Sequence, residues 1–313
     1  MRSAFVATLI ELAGQDERIV LLTGDLGFMA LEPFMEKFPE RFFNMGVAEQ
    51  NMVGLATGLA EAGYIPFVYS IVTFATLRPY EFIRNGPVLH HLPVRIVGVG
   101  GGLEYGHAGP THHGLEDIAI LRAQPGLAII APADPDQTRS ALRATWDLPG
   151  PIYYRIGKND KAFVPGLEGK FELGRLQILR QGSDLLLIAL GGIASETAAA
   201  AQLLEAQGVD CTVAVLASVN PAPEADLLAL LARFPLALTV EAHSINGGLG
   251  SLVAEIAAEH GMGSRIVRCG VRRSLEGISG SQAYLQDQHG ISADKLAETT
   301  LQLLKNLPET PGV

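Results

Sequence analysis

The chain is 313 residues long, which fits about two domains, and its 48% apolar and 18% charged residues can bury large cores and exclude a disordered chain. Twenty-three basic against 33 acidic residues leave a net charge of −10, which excludes a general binder of nucleic acid or of anionic membrane. Two cysteines, Cys211 and Cys269, are too few for a disulfide framework or a four-thiolate metal site, and read as a buried, reduced pair in a cytoplasmic protein.

The run from Met1 to Glu11 opens like a signal peptide, but Glu11 and Asp16 break it and no small-residue cleavage site follows. Phe5, Leu9 and Leu12 instead predict a helix over Arg2–Ala13, then a buried strand Ile19–Leu22 that ends at Thr23-Gly24-Asp25. Ala48–Ala62, rich in Ala and Gly, predicts a second, closely packed helix. Strands are predicted at Ile65–Tyr69, Val94–Val99, Leu127–Ile130 and Ile152–Arg155, with helices between them at Phe74–Asn85, Leu115–Ala123 and Asp136–Trp146. Residues 158–182 are polar, contain several glycines and lack a period, so they read as a linker or a crossing strand pair. The alternation then restarts with strands Leu185–Leu190, Cys211–Leu216, Leu236–Val240 and Arg265–Arg268. Helices are predicted at Ala194–Gln207, Glu224–Arg233, Leu249–His260 and Ala293–Leu304, with a loose tail over Pro308–Val313. No apolar run approaches the roughly 20 residues of a membrane-spanning helix. Continuous apolar strands separated by helices predict an α/β fold: two domains, 1–157 and 183–313, each a mainly parallel sheet covered by helices.

Four segments carry possible chemistry, and each has a bland reading. Glu49 in Gly46-Val47-Ala48-Glu49-Gln50-Asn51-Met52 is either a partner of the helix dipole or a buried carboxylate, since the helix it opens is otherwise apolar. Phe74 and Tyr80, in and after Tyr69-Ser70-Ile71-Val72-Thr73-Phe74, are either core residues or rings that grip a planar ligand at a strand's carboxyl end. The glycine-rich stretch Gly100–Gly114 holds His107, His112 and His113 without an acidic or thiol ligand at metal spacing, so imidazoles bonding a polar substrate are the better reading. Val240–Ser251, with Glu241, His243 and Gly247-Gly248, places a strand, a glycine pair and a helix as an anion-binding turn would, or as a tight packing turn. Asp25 in Gly24-Asp25-Leu26-Gly27 is a turn former or a ligand.

Taken in order, these segments resemble the C-terminal half of transketolases, which are thiamine-diphosphate enzymes. The resemblance covers nearly the whole chain: Arg2, Gly24-Asp25-Leu26, Gly46–Met52, Thr73-Phe74, Gly109-Pro110-Thr111-His112, and Glu241-Ala242-His243-Ser244 with Gly247-Gly248-Leu249-Gly250. It implies a pyrimidine-binding domain (1–157), a linker (158–182) and a transketolase C-terminal domain (183–313). No Gly-Asp-Gly segment followed by Asn, the family's metal-and-diphosphate motif, occurs here. The chain is therefore similar to the second subunit of a split transketolase. Its expected partner is an N-terminal subunit that carries the Mg²⁺ and diphosphate ligands, most simply in an α₂β₂ assembly.

The resemblance also assigns roles. A carboxylic acid bonded to N1′ of the aminopyrimidine favours the tautomer that acts as a base, which requires a Glu in a dry pocket facing a flat ring. Glu49 holds that position, Phe74 and Tyr80 match ring-contacting aromatics, and Asp25 and Leu26 fall at a cofactor-binding strand end. Leu77 stands where some members carry a second aromatic. His112 matches a histidine that contacts donor hydroxyls, and Arg155 and Arg2 match two arginines that bind a distal phosphate. Ala108, Gly100 and Met29 replace an aspartate, a histidine and a serine of the family's sugar-phosphate site, and His107 is a possible substitute. The implied reaction is transfer of a two-carbon ketol unit from a ketose to an aldose, on free sugars or sugar phosphates. The rivals are the beta subunit of a 2-oxo-acid dehydrogenase's decarboxylase component, a deoxyxylulose-phosphate synthase relative, and a non-catalytic regulatory subunit. A generic nucleotide-binding or electron-transfer protein rests on the α/β pattern alone.

Overall fold

The computed structural model describes residues 1–273 and 278–305. The expected tail over Pro308–Val313 lies outside the described residues. In chain order the first part runs α1 (Arg2–Ala13), β1 (Ile19–Thr23), α2 (Glu32–Lys37), β2 (Phe42–Asn44), α3 (Glu49–Glu61), β3 (Ile65–Ile71), α4 (Val72–Thr76) and α5 (Tyr80–Ile83). It continues with β4 (Arg95–Val99), α6 (Asp117–Arg122), β5 (Ala128–Ile130), α7 (Pro135–Thr145) and β6 (Ile152–Ile156). The second part runs β7 (Leu176–Arg180), β8 (Leu185–Leu190), α8 (Ala194–Glu205), β9 (Cys211–Leu216), β10 (Ser218–Asn220), α9 (Glu224–Leu231) and β11 (Leu236–Ser244). It ends with α10 (Leu249–Glu259), β12 (Arg265–Val271), α11 (Gln282–Gln288) and α12 (Ala293–Lys305).

Two sheets result. The first has seven strands in the order β10-β5-β6-β4-β3-β1-β2, parallel throughout apart from β10, which runs antiparallel to β5. The second has five strands in the order β12-β11-β8-β9-β7, with β7 antiparallel to its neighbour. Strands β1, β3, β4 and β6 are buried along their whole lengths, as helices on both faces require. The chain leaves β1 toward β2 on one side and returns to β3 on the other. A crevice therefore opens at the carboxyl ends of β1 and β3, where open α/β sheets place ligands.

Three differences from the sequence reading have local causes. The helix expected over Phe74–Asn85 is broken into α4, α5 and a π-helical turn at Arg84–Val88, because Pro79 and Pro87 lack the amide hydrogen a continuous helix needs. The last residues of the 158–182 segment form β7, an edge strand of the second sheet. Strand β10 follows β9 of the second sheet directly yet pairs with β5 of the first, so the chain crosses between the sheets. The two halves also share a core. One cluster joins Val20, Met52, Ile96 and Leu127 to Leu186, Ala214, Leu227 and Leu249.

Candidate functional site

Glu49 is the first residue of α3, and its carboxylate turns inward to the strand ends. The residue is only 2% exposed. Ser70 Oγ, on β3, donates to one carboxylate oxygen at 3.2 Å, and Arg78 Nη1 donates to the other at 3.0 Å. Gly24, just past β1, passes so close that a Cβ there would lie 3.2 Å from Glu49 Oε1. The carboxylate is thus dry, held by two side chains and wedged at the β1/β3 crevice.

Two rings complete this corner. The half-buried Phe74 on α4 meets the His112 imidazole edge-on, with centroids 5.1 Å apart and planes at 72°. The Arg78 guanidinium lies over the Phe74 ring, 3.9 Å from its centroid. Thr111 Oγ1 fixes the His112 ring through Nδ1 at 2.9 Å. A dry carboxyl group, an aromatic face and an imidazole converging at strand carboxyl ends suit a flat heteroaromatic ring that can bond the carboxyl group along its edge. Among the described residues, no group of three His, Cys, Asp or Glu is arranged to hold a metal ion.

The remaining sequence-predicted residues are placed as follows. Tyr80 is half-buried, and its hydroxyl donates to the Ile120 carbonyl at 3.0 Å and accepts from Gln124, so its polar end is tied to α6. Asp25 is exposed, with φ +58°, and accepts from Asn44 Nδ2 at 2.9 Å. The Leu26 side chain packs against the core, and its carbonyl accepts from Thr23 Oγ1. Arg2, at the start of α1, carries a buried Nε that has no hydrogen-bond partner among the described residues. His107 is exposed on the turn Gly106–Ala108, next to the turn Pro110–His112 that carries His112. Gly100 is needed because a Cβ there would collide with the Tyr105 ring, which fills that space beneath the Lys158 ammonium.

Arg155, 7% exposed, bonds protein groups through two of its three guanidinium nitrogens and lines a cavity with Gly101, Glu104 and Gly157. Nε donates to Asp117 Oδ2 at 2.8 Å, and Nη2 donates to the carbonyls of Gly114 at 2.9 Å and Ala242 at 3.0 Å. Tyr153 donates to the same Asp117 oxygen at 2.7 Å. A guanidinium is retained in the interior when its donors are paired in this way, and here the pairing ties the two halves together. Neither Asp117 nor Tyr153 stands in a motif that would have marked it beforehand.

The glycine-rich turn of the second half does bind an anion, but the anion is its own. Glu241, on β11 and fully buried, accepts from the backbone N–H of Leu249 at 2.7 Å and of Gly250 at 2.9 Å, at the start of α10. Gly248 permits this, since a Cβ would collide with Glu241 Oε2. Burial pushes the Glu241 carboxyl up to about 7. The neighbouring His243 is also fully buried. It accepts from the Ala119 N–H at Nε2 and donates from Nδ1 to its neighbour's carbonyl, and burial lowers it to about 4.

Comparison with known proteins agrees with this architecture. Residues 1–161 match the family described as transketolase, pyrimidine binding domain, and residues 174–296 match transketolase, C-terminal domain. A putative transketolase C-terminal section from Methanocaldococcus jannaschii is 37% identical over 308 residues, covering 97% of this chain and 96% of that protein. A subunit of the apulose-4-phosphate transketolase of Phocaeicola vulgatus is 34% identical, with 97% of each chain covered. A solved split-gene transketolase, described as an inactive beta4 tetramer, superposes with a TM-score of 0.86 at 34% identity over 97% of each chain.

Proposed function

The chain belongs to the transketolase family, and from that membership we propose that it is the beta subunit of a split, thiamine-diphosphate-dependent transketolase that moves a two-carbon ketol unit from a ketose to an aldose. Residues 1–157 act as the pyrimidine-binding domain and 183–313 as the C-terminal domain. The diphosphate and Mg²⁺ ligands come from an N-terminal partner subunit, most simply in an α₂β₂ assembly. The observation that carries the reading is the buried Glu49 carboxylate beside the Phe74 ring and His112.

When bound, thiamine diphosphate supplies the electron sink that lets a carbon–carbon bond next to a carbonyl break and re-form. The residues of this chain bind and orient around it. Glu49 would bond N1′ of the aminopyrimidine through a shared proton, in a pocket whose dryness strengthens that hydrogen bond. Phe74 would pack on the ring, and Tyr80, tied to α6, would wall the helix side. Asp25 and Leu26 would border the ring at the end of β1. His112, steadied by Thr111, would hold the hydroxyl groups of a sugar donor and orient its carbonyl.

On the substrate side, Arg2 and Arg155 remain the pair for a terminal anionic group: the buried Nε of Arg2 is unpartnered among the described residues, and Asp117 holds Arg155 in place through Nε and Nη2. His107, exposed on the same glycine-rich stretch as His112, is the other candidate for sugar contact.

The test is reconstitution with a partner subunit carrying a Gly-Asp-Gly…Asn motif, together with thiamine diphosphate and Mg²⁺. Free and phosphorylated ketoses are then assayed for two-carbon transfer. Transfer is the expected result. A complex that decarboxylates pyruvate without need of a sugar, or failure to form any complex, would overturn the proposal.

A further inference from the structure

Arg78 has no part in the motifs that carry the family resemblance, yet it touches both groups that a cofactor ring would need. The Glu49 side chain is 1% exposed, and a charge so deeply placed requires a partner. Ser70 covers one carboxylate oxygen, and Arg78 supplies the cation at the other. The guanidinium is also flat and lies on the Phe74 face. A planar group that donates an N–H to Glu49 while stacked on Phe74 makes the same two contacts as an aminopyrimidine edge-bonded to Glu49 and packed on that ring. Two planar groups cannot share that space.

We propose, resting on the cofactor reading above, that Arg78 is a resident placeholder for the aminopyrimidine: it neutralises Glu49 and covers Phe74 in the cofactor-free protein, and the incoming ring displaces it. The geometry allows the exchange. Arg78 sits in the Leu77–Pro79 break between α4 and α5, its side chain is 42% exposed, and one N–H···O bond holds it to Glu49. It can swing into solvent without moving either helix, while Ser70 keeps its bond to the carboxylate. The exchange also selects the occupant, because a flat ring whose edge cannot share a proton with the carboxyl group would leave Glu49 without its cation and without a replacement bond.

The test uses the reconstituted complex, with thiamine diphosphate and Mg²⁺ as the probe, and the variants Arg78→Ala and Arg78→Lys. Calorimetric titration is expected to show Arg78→Ala binding the cofactor about five- to tenfold more tightly than wild type, the size of a partly exposed ion pair with a cation–π contact. Arg78→Lys, which keeps the charge and loses the planar fork, is expected to fall between them. The melting midpoint of cofactor-free Arg78→Ala is expected to drop, while the cofactor-saturated midpoint stays at the wild-type value. Equal or weaker binding by Arg78→Ala, or an equal drop in both midpoints, overturns the placeholder while leaving the functional reading intact. A wild-type complex that takes up no cofactor overturns both.

Discussion

Among the described residues, two glutamates, Glu49 and Glu241, are buried beside helix starts and held by different means. Glu241 is gripped by backbone: two N–H groups of α10 close on it, a glycine clears its path, and His243 and Arg155 seal the surroundings. Glu49 is gripped by side chains: a serine hydroxyl and a half-exposed arginine, at the open end of a sheet. Backbone donors are fixed by the fold and cannot yield to a ligand. A rotatable arginine can. The contrast separates an anion used to build the protein from one left available, although both carboxylates are equally dry.

If that contrast holds, substitutions at the two places fail in different ways. Glu49→Gln keeps size and hydrogen bonding but removes the acid. In the reconstituted complex, two-carbon transfer is expected to fall by about 10²–10⁴-fold, the span of a lost general acid–base contribution. The circular dichroism spectrum should remain that of wild type. Turnover unchanged by this substitution would remove Glu49 from the chemistry and favour a non-catalytic subunit.

The sealed side should instead respond in stability. Asp117→Ala strips Arg155 and Tyr153 of their common acceptor in the interior. Removing one member of a buried ion pair is expected to cost about 3–5 kcal/mol, read as a lower urea midpoint. A loss below about 1 kcal/mol would mean that the network adds nothing to the union of the two halves.

The sequence conveyed this division unevenly. Long apolar strands such as Ile65–Ile71 and Leu185–Leu190 were legible because burial on both faces leaves no alternation to misread. Strands β2 and β10 were not, since three residues carry no period, and β10 is defined by a partner in the other sheet. Phe74 and His112 could be singled out because each follows a strand end, where α/β sheets carry their ligands, and Glu49 because it opens an otherwise apolar helix. The fate of Arg155 could not be read, because its acceptors at Asp117 and Ala242 are distant in the chain and no local pattern announces them. Arg78 did leave a signal: it stands four residues after Phe74, the spacing at which a helical cation reaches back over a ring. The Gly247-Gly248 turn misled in the opposite way, since its shape is that of an anion site and the anion lies on the preceding strand.

The smallest effect concerns pH and tests whether the sealed side is as closed as its geometry indicates. His243 is lowered from 6.5 to about 4, so the folded chain keeps it neutral where the unfolded chain takes up a proton. Its contribution to stability is present above pH 6.5 and lost as pH falls toward 4. Glu241 is raised from 4.5 to about 7, so its contribution is present below pH 4.5 and lost as pH rises toward 7. The two slopes oppose each other between these limits, so this pair together adds little net pH dependence to the wild-type urea midpoint. Glu241→Gln leaves the histidine's slope uncancelled, so its stability relative to wild type should climb from pH 4.5 to 6.5. His243→Asn leaves the glutamate's slope uncancelled, so its stability relative to wild type should decline toward pH 7. Each slope is worth at most about 3.5 kcal/mol, since a tenfold change in proton affinity corresponds to about 1.4 kcal/mol. Variants whose midpoints run parallel to wild type would show that water reaches both side chains, and the distinction between a sealed and an open glutamate would then rest on hydrogen-bond partners alone.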